Sequence, residues 1–499
     1  MESLALQKGD GMNQEQTPLL QAVTDLIETD PAYFKVPGHR LDKGICPRWT
    51  DRVGTGIFAY DVTETPLTDD LHSPEGAIRE AQGLLSALYG ADRSFFLVNG
   101  STCGNEAMIL SAAFEGGKIM VARNAHKSAL MGLILSGAEP VYVMPEMIAD
   151  WAVQGAVTPD AVRKGFEEHP DCRALFLVSP SYYGICSDLE AIAEICHAHD
   201  ALLLVDEAHG GHVYFHDRLP MGALEAGADV CVQSMHKVTG ALTQSAVLHI
   251  RHHGVGEAAL NRIAQDLQLV QSTSPSYLLM ISLDCARYEL AANGRQMMEK
   301  ALRLAEYARE RIGKIAGFCC MEGDRTDRTR LVISARGIGL TGYMLEKMLL
   351  EEYAVHVELS DCENVLAVVT YANEMRDMDR LVAACKDISG KCVRRPALQR
   401  PPERDGYPAF PEIPRQVMTP RQAYFSEMKT IRWQEAAGQI AGQMIAPYPP
   451  GIPVICPGER ISQEVWDYIE RFRTDGRHIH GAGHDGRLDW VKVIPADGV

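Results

Sequence analysis

Two short runs, Ala201-Leu-Leu-Leu-Val205 and Ala228-Asp-Val-Cys-Val232, each end in a polar cluster. The first stops at Asp206-Glu-Ala-His-Gly-Gly211. The second leads into Gln233-Ser-Met-His-Lys237. Each run is too short for a helix and mostly apolar, so each is expected to be a buried strand of a parallel sheet. Open α/β sheets bind ligands beyond the carboxyl ends of their strands. Asp206 stands at one such end and Lys237 just past another.

A carboxylate and a primary amine brought to the same place suggest a pyridoxal phosphate (PLP) site. The amine would form an imine with the aldehyde, and the carboxylate would keep the pyridine nitrogen protonated. Taken singly, Asp206 also fits a turn cap and Lys237 a surface charge. Upstream, Phe95-Phe-Leu-Val98 reads as a strand, and Asn99-Gly-Ser-Thr-Cys-Gly-Asn105 opens a helix. The free N–H groups of such a start, with the freedom of Gly100 and the hydroxyls of Ser101 and Thr102, suit a phosphate. An ordinary Ser/Thr helix cap is the other reading. Strand and helix alternate from 95 to 250, as in a right-handed βαβ series.

The blocks Val205-Asp-Glu-Ala-His-Gly210 and Ser234-Met-His-Lys237 resemble the Orn/Lys/Arg decarboxylase family. So do Phe34-Lys-Val-Pro-Gly-His39, Asp69-Asp-Leu-His-Ser-Pro-Glu-Gly76, Phe96-Leu-Val-Asn-Gly-Ser-Thr102 and Arg123-Asn-Ala-His-Lys-Ser128. Ser272-Thr-Ser-Pro-Ser-Tyr277, Tyr448-Pro-Pro-Gly-Ile-Pro453 and Pro457-Gly-Glu459 continue the likeness in the family's order, over about residues 30 to 460. Within that family the chain resembles the short bacterial arginine decarboxylase type. The resemblance implies an α/β fold: a fold type I, aspartate aminotransferase-like large domain with a mainly parallel seven-stranded sheet, a small α+β domain and a C-terminal module. It implies PLP as cofactor, Lys237, His126 and Asp206 as catalytic groups, and His126 stacked on the cofactor ring. Gly100, Ser101, Thr102, Ala208, His209, Ser234 and His236 would line the cofactor. Ser272 and Thr273 would reach the phosphate of a neighbouring subunit, so a homodimer or dimer of dimers with shared active sites is expected.

The expected division is an N-terminal helical segment (1–30), a PLP-binding large domain (31–290), a small domain (291–390), a linker (391–420) marked by seven Pro, and a C-terminal module (421–499). In the small domain Leu331-Val-Ile-Ser334, Val355-His-Val-Glu-Leu359 and Val365-Leu-Ala-Val-Val-Thr370 read as strands. Glu358 and Asp361 stand near strand ends, where either would serve the distal cation of a basic substrate or lie exposed.

A formal net charge of −18 argues against nonspecific nucleic-acid binding. Thirteen scattered Cys, without a C-x-x-C pair, argue for reduced thiols in a cytoplasmic protein. No run approaches the ~20 apolar residues of a membrane span, and the first residues lack an apolar signal core. Only about 30 residues precede the first family block, which favours a biosynthetic dimer over the decameric, acid-induced members. Gly481-Ala-Gly-His-Asp-Gly486 matches G-x-G-x-x-G but lacks a following helix. His478, His480 and His484 with Asp485, or His209 with His212, are the metal candidates, and no metal is expected. The activity expected is decarboxylation of a basic amino acid, arginine to agmatine first, with lysine or ornithine as alternatives. An aminotransferase or carbon–sulfur lyase is the alternative class; an aminotransferase would grip the substrate carboxylate with Arg330 or Arg336.

Overall fold

The computed structural model describes residues 13–394, 410–447, 452–474, 478–481 and 487–495. Most of the Pro-rich linker, the start of the Tyr448 block, and His484 and Asp485 lie outside the described residues.

The large domain is built on a seven-stranded sheet. Its strands are β1 (Arg93–Leu97), β2 (Lys118–Ala122), β3 (Glu139–Val143), β4 (Cys172–Val178), β5 (Leu202–Asp206), β6 (Val230–Gln233) and β7 (Ala246–Ile250). They run in the order β1-β7-β6-β5-β4-β2-β3. Only β7 is antiparallel to its neighbours, so the sheet is mainly parallel, as expected. β5 shows why the sequence looks continuously apolar there. Leu203 and Val205 enter one core while Leu202 and Leu204 enter the other, on the opposite face. Each such side chain stabilises the fold by about 1.5–3 kcal/mol relative to exposure.

One edge of the sheet is β1 and the other is β3; the β1 edge is covered by side chains. There the Phe96 N–H donates to Gln82 Oε1 at 2.8 Å, and just beyond the strand the Val98 N–H donates to Gln271 Oε1 at 2.9 Å. Gln82 belongs to the helix Ala77–Tyr89, and Gln271 follows the helix Glu257–Val270. A cavity of about 1070 Å³ runs along this edge, away from Lys237.

The helix Ala77–Tyr89 follows the Asp69–Gly76 block, and Asp69 holds its N-terminus. Asp69 accepts the N–H groups of Glu75 (2.9 Å), Gly76 (2.8 Å), Ile78 (3.0 Å) and Arg79 (3.3 Å). Burial tends to raise its pKa, but these backbone bonds outweigh it and hold the carboxyl below its usual range. Asp69→Ala is expected to cost about 1–2 kcal/mol in denaturant unfolding at pH 7. Because the folded pKa is depressed, that contribution is full above the unfolded value of about 3.9 and is lost as pH falls through the folded one. The difference between variant and wild type should therefore shrink in acid; a constant difference would refute the assignment.

A helix of 36 residues, Tyr277–Ile312, spans about 54 Å and serves two cores. Tyr277 to Leu302 pack in the large domain, and Leu304 to Ile312 in the next core. That second core covers an antiparallel sheet with the strand order Cys319–Cys320, Arg330–Ser334, Asn364–Val368, Leu359–Ser360. The strand expected from Val355 starts only at Leu359, since residues 354–358 are irregular. Two further elements were not foreseen: the helix Glu257–Val270, and a hairpin pairing Met147–Ile148 with Val153–Gln154.

The C-terminal part forms a three-stranded antiparallel sheet, Lys429–Arg432, Trp490–Ile494 and Ile440–Ala441, beside the helix Gln463–Thr474. It is fastened to the large domain by a buried ion pair. Arg123 Nη1 meets Glu459 Oε1 at 2.6 Å and Nη2 meets Oε2 at 2.8 Å, with both side chains about 1% exposed. Among the described residues, no helix is long and apolar enough to cross a membrane. None of the thirteen cysteines is in a disulfide.

Candidate active site

β5 and β6 end side by side, and their register brings Asp206 opposite Val232. Past β6, Ser234 leads into a single 3₁₀ turn, Met235–Lys237. The chain thus delivers Asp206 and Lys237 to one small cavity, which His126, Ser101, Ala208 and His209 also line.

The helix Gly100–Ala112 opens over the same ends. Gly100 has φ +72°, a conformation that L side chains rarely adopt. A Cβ on Gly104 would lie 2.5 Å from Val232, so glycine there lets the helix pack tightly on β6. No side chain caps this N-terminus. Asn99 Oδ1 instead accepts the Ser272 N–H at 3.3 Å, and Ser234 Oγ donates to Ser101 Oγ at 2.9 Å. The ordinary cap reading is therefore not what the residues do. The Gly100 N–H donates to the Gln244 carbonyl at 3.0 Å, which leaves the N–H groups and hydroxyls of Ser101 and Thr102 to face an anion.

Asp206 is 3% exposed. Its Oδ1 accepts the Ala208 N–H at 3.1 Å and its Oδ2 accepts Asn105 Nδ2 at 2.8 Å. Asn105 Nδ2 also reaches Ser128 Oγ at 2.9 Å, and Ser128 Oγ lies 2.9 Å from His126 Nδ1. The Ser128 N–H donates to the same Nδ1 at 3.3 Å. With a backbone donor on Nδ1, the neutral ring carries its proton on Nε2. Burial lowers the His126 pKa; Asp206 opposes this, and Lys237 and Lys127 add to it. A chain of hydrogen bonds thus runs from Asp206 through Asn105 and Ser128 to His126.

Lys237 Nζ lies 3.0 Å from His209 Nε2 and 5.5 Å from the centre of the Tyr182 ring. Burial depresses its pKa; Asp206 and Glu358 counteract this and Arg330 reinforces it. His209 is pushed well down, first by burial and then by Lys237 and Arg330, so it is neutral and accepts from the amine. Arg330 Nη2 donates to the His209 carbonyl at 3.1 Å, and Arg330 Nε lies 3.2 Å from Asp327. Asp327 also holds His212 Nε2 at 3.1 Å. Arg330 is thus engaged by Asp327 and the His209 backbone, while Arg336 bonds the Asp150 carbonyl and faces Trp151. His209 and His212 serve different partners.

Ala208 is buried; Ser101, Thr102 and His236 are partly so. His236 Nδ1 bonds the Ser245 carbonyl at 2.9 Å. Ser272 and Thr273 are exposed and lie outside this chain's Lys237 cavity. Asn105, Ser128 and Gln154 are the residues that sequence reasoning missed. Asn105 had a signal, since it follows Ser101 by four positions and so shares its helix face. Gln154 had none, because its hairpin reads as loop.

The models of the Orn/Lys/Arg decarboxylase major domain and C-terminal domain match residues 17–335 and 406–486. The chain belongs to this family and is an amino-acid decarboxylase. It is 36% identical to the arginine decarboxylase of Bacillus subtilis (strain 168) over 97% of this chain and 99% of that protein. It is 37% identical to the arginine decarboxylase of Halalkalibacterium halodurans, over 95% and 96%. The solved structure of lysine decarboxylase A from Pseudomonas aeruginosa superposes with a TM-score of 0.84 at 20% identity, covering 96% of this chain and 80% of that one. At that identity the likeness speaks to the fold.

Proposed function

We propose that the chain is a PLP-dependent arginine decarboxylase that converts L-arginine to agmatine and carbon dioxide in polyamine biosynthesis. The observation that carries the reading is the convergence of Lys237, Asp206 and His126 on one cavity beside an uncapped helix N-terminus. The arginine decarboxylases to which the chain is similar over nearly its whole length support the substrate.

The residues fit the cofactor. Asp206 is a buried carboxylate whose hydrogen bonds among the described residues come from neutral donors, Asn105 and the Ala208 N–H, so its charge is left for a ring nitrogen. Gly100, Ser101, Thr102, Ser234 and His236 would hold the phosphate, and Ala208 and His209 would line the ring. When bound, PLP supplies an electron sink for the pair left as carbon dioxide departs. His126, oriented by Ser128, would cover one face of the ring and meet the substrate carboxylate. Arg330, already bound to Asp327 and the His209 carbonyl, leaves that carboxylate without a guanidinium clamp, and a poorly solvated carboxylate favours its own loss. Lys237 Nζ, held by neutral His209, is placed to return a proton to Cα. The exposed Ser272 and Thr273 would serve the second active site of a homodimer, or of a dimer of dimers, in the cytoplasm.

The test is carbon dioxide release from PLP-loaded protein given arginine, lysine or ornithine separately. Release from arginine, with agmatine formed, is expected. Release only from lysine or ornithine would overturn the substrate, and no release from any would overturn the reaction.

A further inference from the structure

Beyond the Lys237 cavity lies a second chamber of about 380 Å³. The two cavities share Gln154, Tyr183 and Ile452. The chamber is walled by Tyr183, Tyr343, Tyr468 and Phe472 and is also lined by Asp361 and Glu363, while no Lys, Arg or His among the described residues lines it. Three parts of the chain meet there: the Val153–Gln154 hairpin, the turn after Leu359–Ser360, and the helix Gln463–Thr474.

Two observations point to a missing ligand. Gln154 is only 8% exposed, yet neither its amide oxygen nor its amide nitrogen has a hydrogen-bond partner among the described residues. A buried amide left unpaired is costly, so such groups normally have partners. Asp361 is the second. It is 9% exposed and not the exposed strand-end charge that its position suggests. Tyr183 OH donates to it at 2.6 Å, Asn364 Nδ2 at 3.1 Å, and the N–H groups of Glu363 and Asn364 at 2.7 and 2.8 Å. All of these donors are neutral. They orient the carboxylate without neutralising it, and no cationic side chain pairs with it among the described residues.

We propose that this chamber holds the distal cation of the substrate, with Asp361 supplying the charge, Gln154 Oε1 accepting an N–H, and the aromatic walls covering its faces. The inference rests on the reading of the protein as a basic amino-acid decarboxylase. The α-amino end sits at Lys237, and the aliphatic stem passes the shared wall of Gln154, Tyr183 and Ile452. A planar, weakly hydrated guanidinium suits rings and a buried carboxylate better than a compact ammonium does.

Gln154→Leu is the sharper test, because it removes two unpaired polar atoms and should leave the melting temperature unchanged or raised. It should lower kcat/KM for arginine about tenfold, the worth of one good hydrogen bond to a charged group. Asp361→Asn should lower it further and narrow the preference for arginine over citrulline, its uncharged isostere. Affinity of the holoenzyme for agmatine, measured by calorimetry, should fall in parallel in both variants. Gln154→Leu with unchanged kcat/KM and agmatine affinity would overturn the proposal, whatever Asp361→Asn does to folding. If wild type releases no carbon dioxide from any basic amino acid, the reaction fails separately. Binding of agmatine, cadaverine or putrescine to wild type and Gln154→Leu then decides the subsite alone. Weaker binding in the variant upholds it, and equal or undetectable binding in both overturns it.

Discussion

Lys237→Ala should abolish carbon dioxide release, with a loss of roughly 10⁴-fold or more, as expected when a covalent catalytic group is removed. Among the described residues, Lys237 is the only amine that lines the cavity containing Asp206 and His126. Its depressed pKa leaves a larger share of the amine unprotonated, which imine formation requires. Lys237→Arg should be equally inactive, because a guanidinium keeps its proton. Melting temperatures of both variants beside wild type separate loss of chemistry from loss of fold. Borohydride treatment followed by mass spectrometry provides the independent check: wild type should retain the reduced cofactor on the peptide containing Lys237, and the alanine variant should not. A Lys237→Ala protein that still released carbon dioxide at a tenth of the wild-type rate would refute the assignment.

The second large effect concerns the joint between the large domain and the C-terminal part. Arg123→Ala or Glu459→Ala should destabilise the protein by about 3–5 kcal/mol, because each strands the opposite charge in a dry site. Arg123 makes further contacts, donating to the Val454 carbonyl at 2.9 Å and packing 4.6 Å from the Tyr142 ring centre. Glu459 also accepts the Cys456 N–H at 2.7 Å. The double variant Arg123→Met, Glu459→Leu should recover much of the loss, since neither charge is then left alone. Denaturant midpoints of the four proteins measure this. Activity should fall with the single variants too, because Arg123 immediately precedes Asn124, which lines the cavity, and Ile452 lines it from the other side. A double variant whose loss equals the sum of the two single losses would show that the pair is not coupled.

The sheet and its chemistry were legible because both are local. An apolar run ending in Asp206, and another ending before Lys237, carry their strand and their site in a few consecutive residues. The helix start at Gly100 was visible for the same reason. The Asp206–Asn105–Ser128–His126 chain was only half visible, since its links depend on how a helix sits over two strands. Arg330 was placed as a candidate grip on the substrate carboxylate, because nothing near it in the sequence announces Asp327 or the His209 carbonyl as its partners. Asp361 was left between a partner for the substrate's distal cation and an exposed charge, because strand ends are usually exposed. Its burial comes from Tyr183, 178 positions away, and from the turn that returns through Asn364. Gln154 sits on a two-residue strand, too short to leave a periodic signal.

The glutamines at the rim of the large sheet have a consequence for how the protein behaves in a crowded solution. A bare outer strand offers a template on which another chain can continue the ladder, the usual first step toward fibrous aggregates. Gln82 and Gln271 already occupy two of those donors with side-chain oxygens. An incoming strand would have to break both bonds before gaining any of its own. Growth along that direction is thereby self-limiting, and two polar side chains achieve it without proline, bulge or added charge.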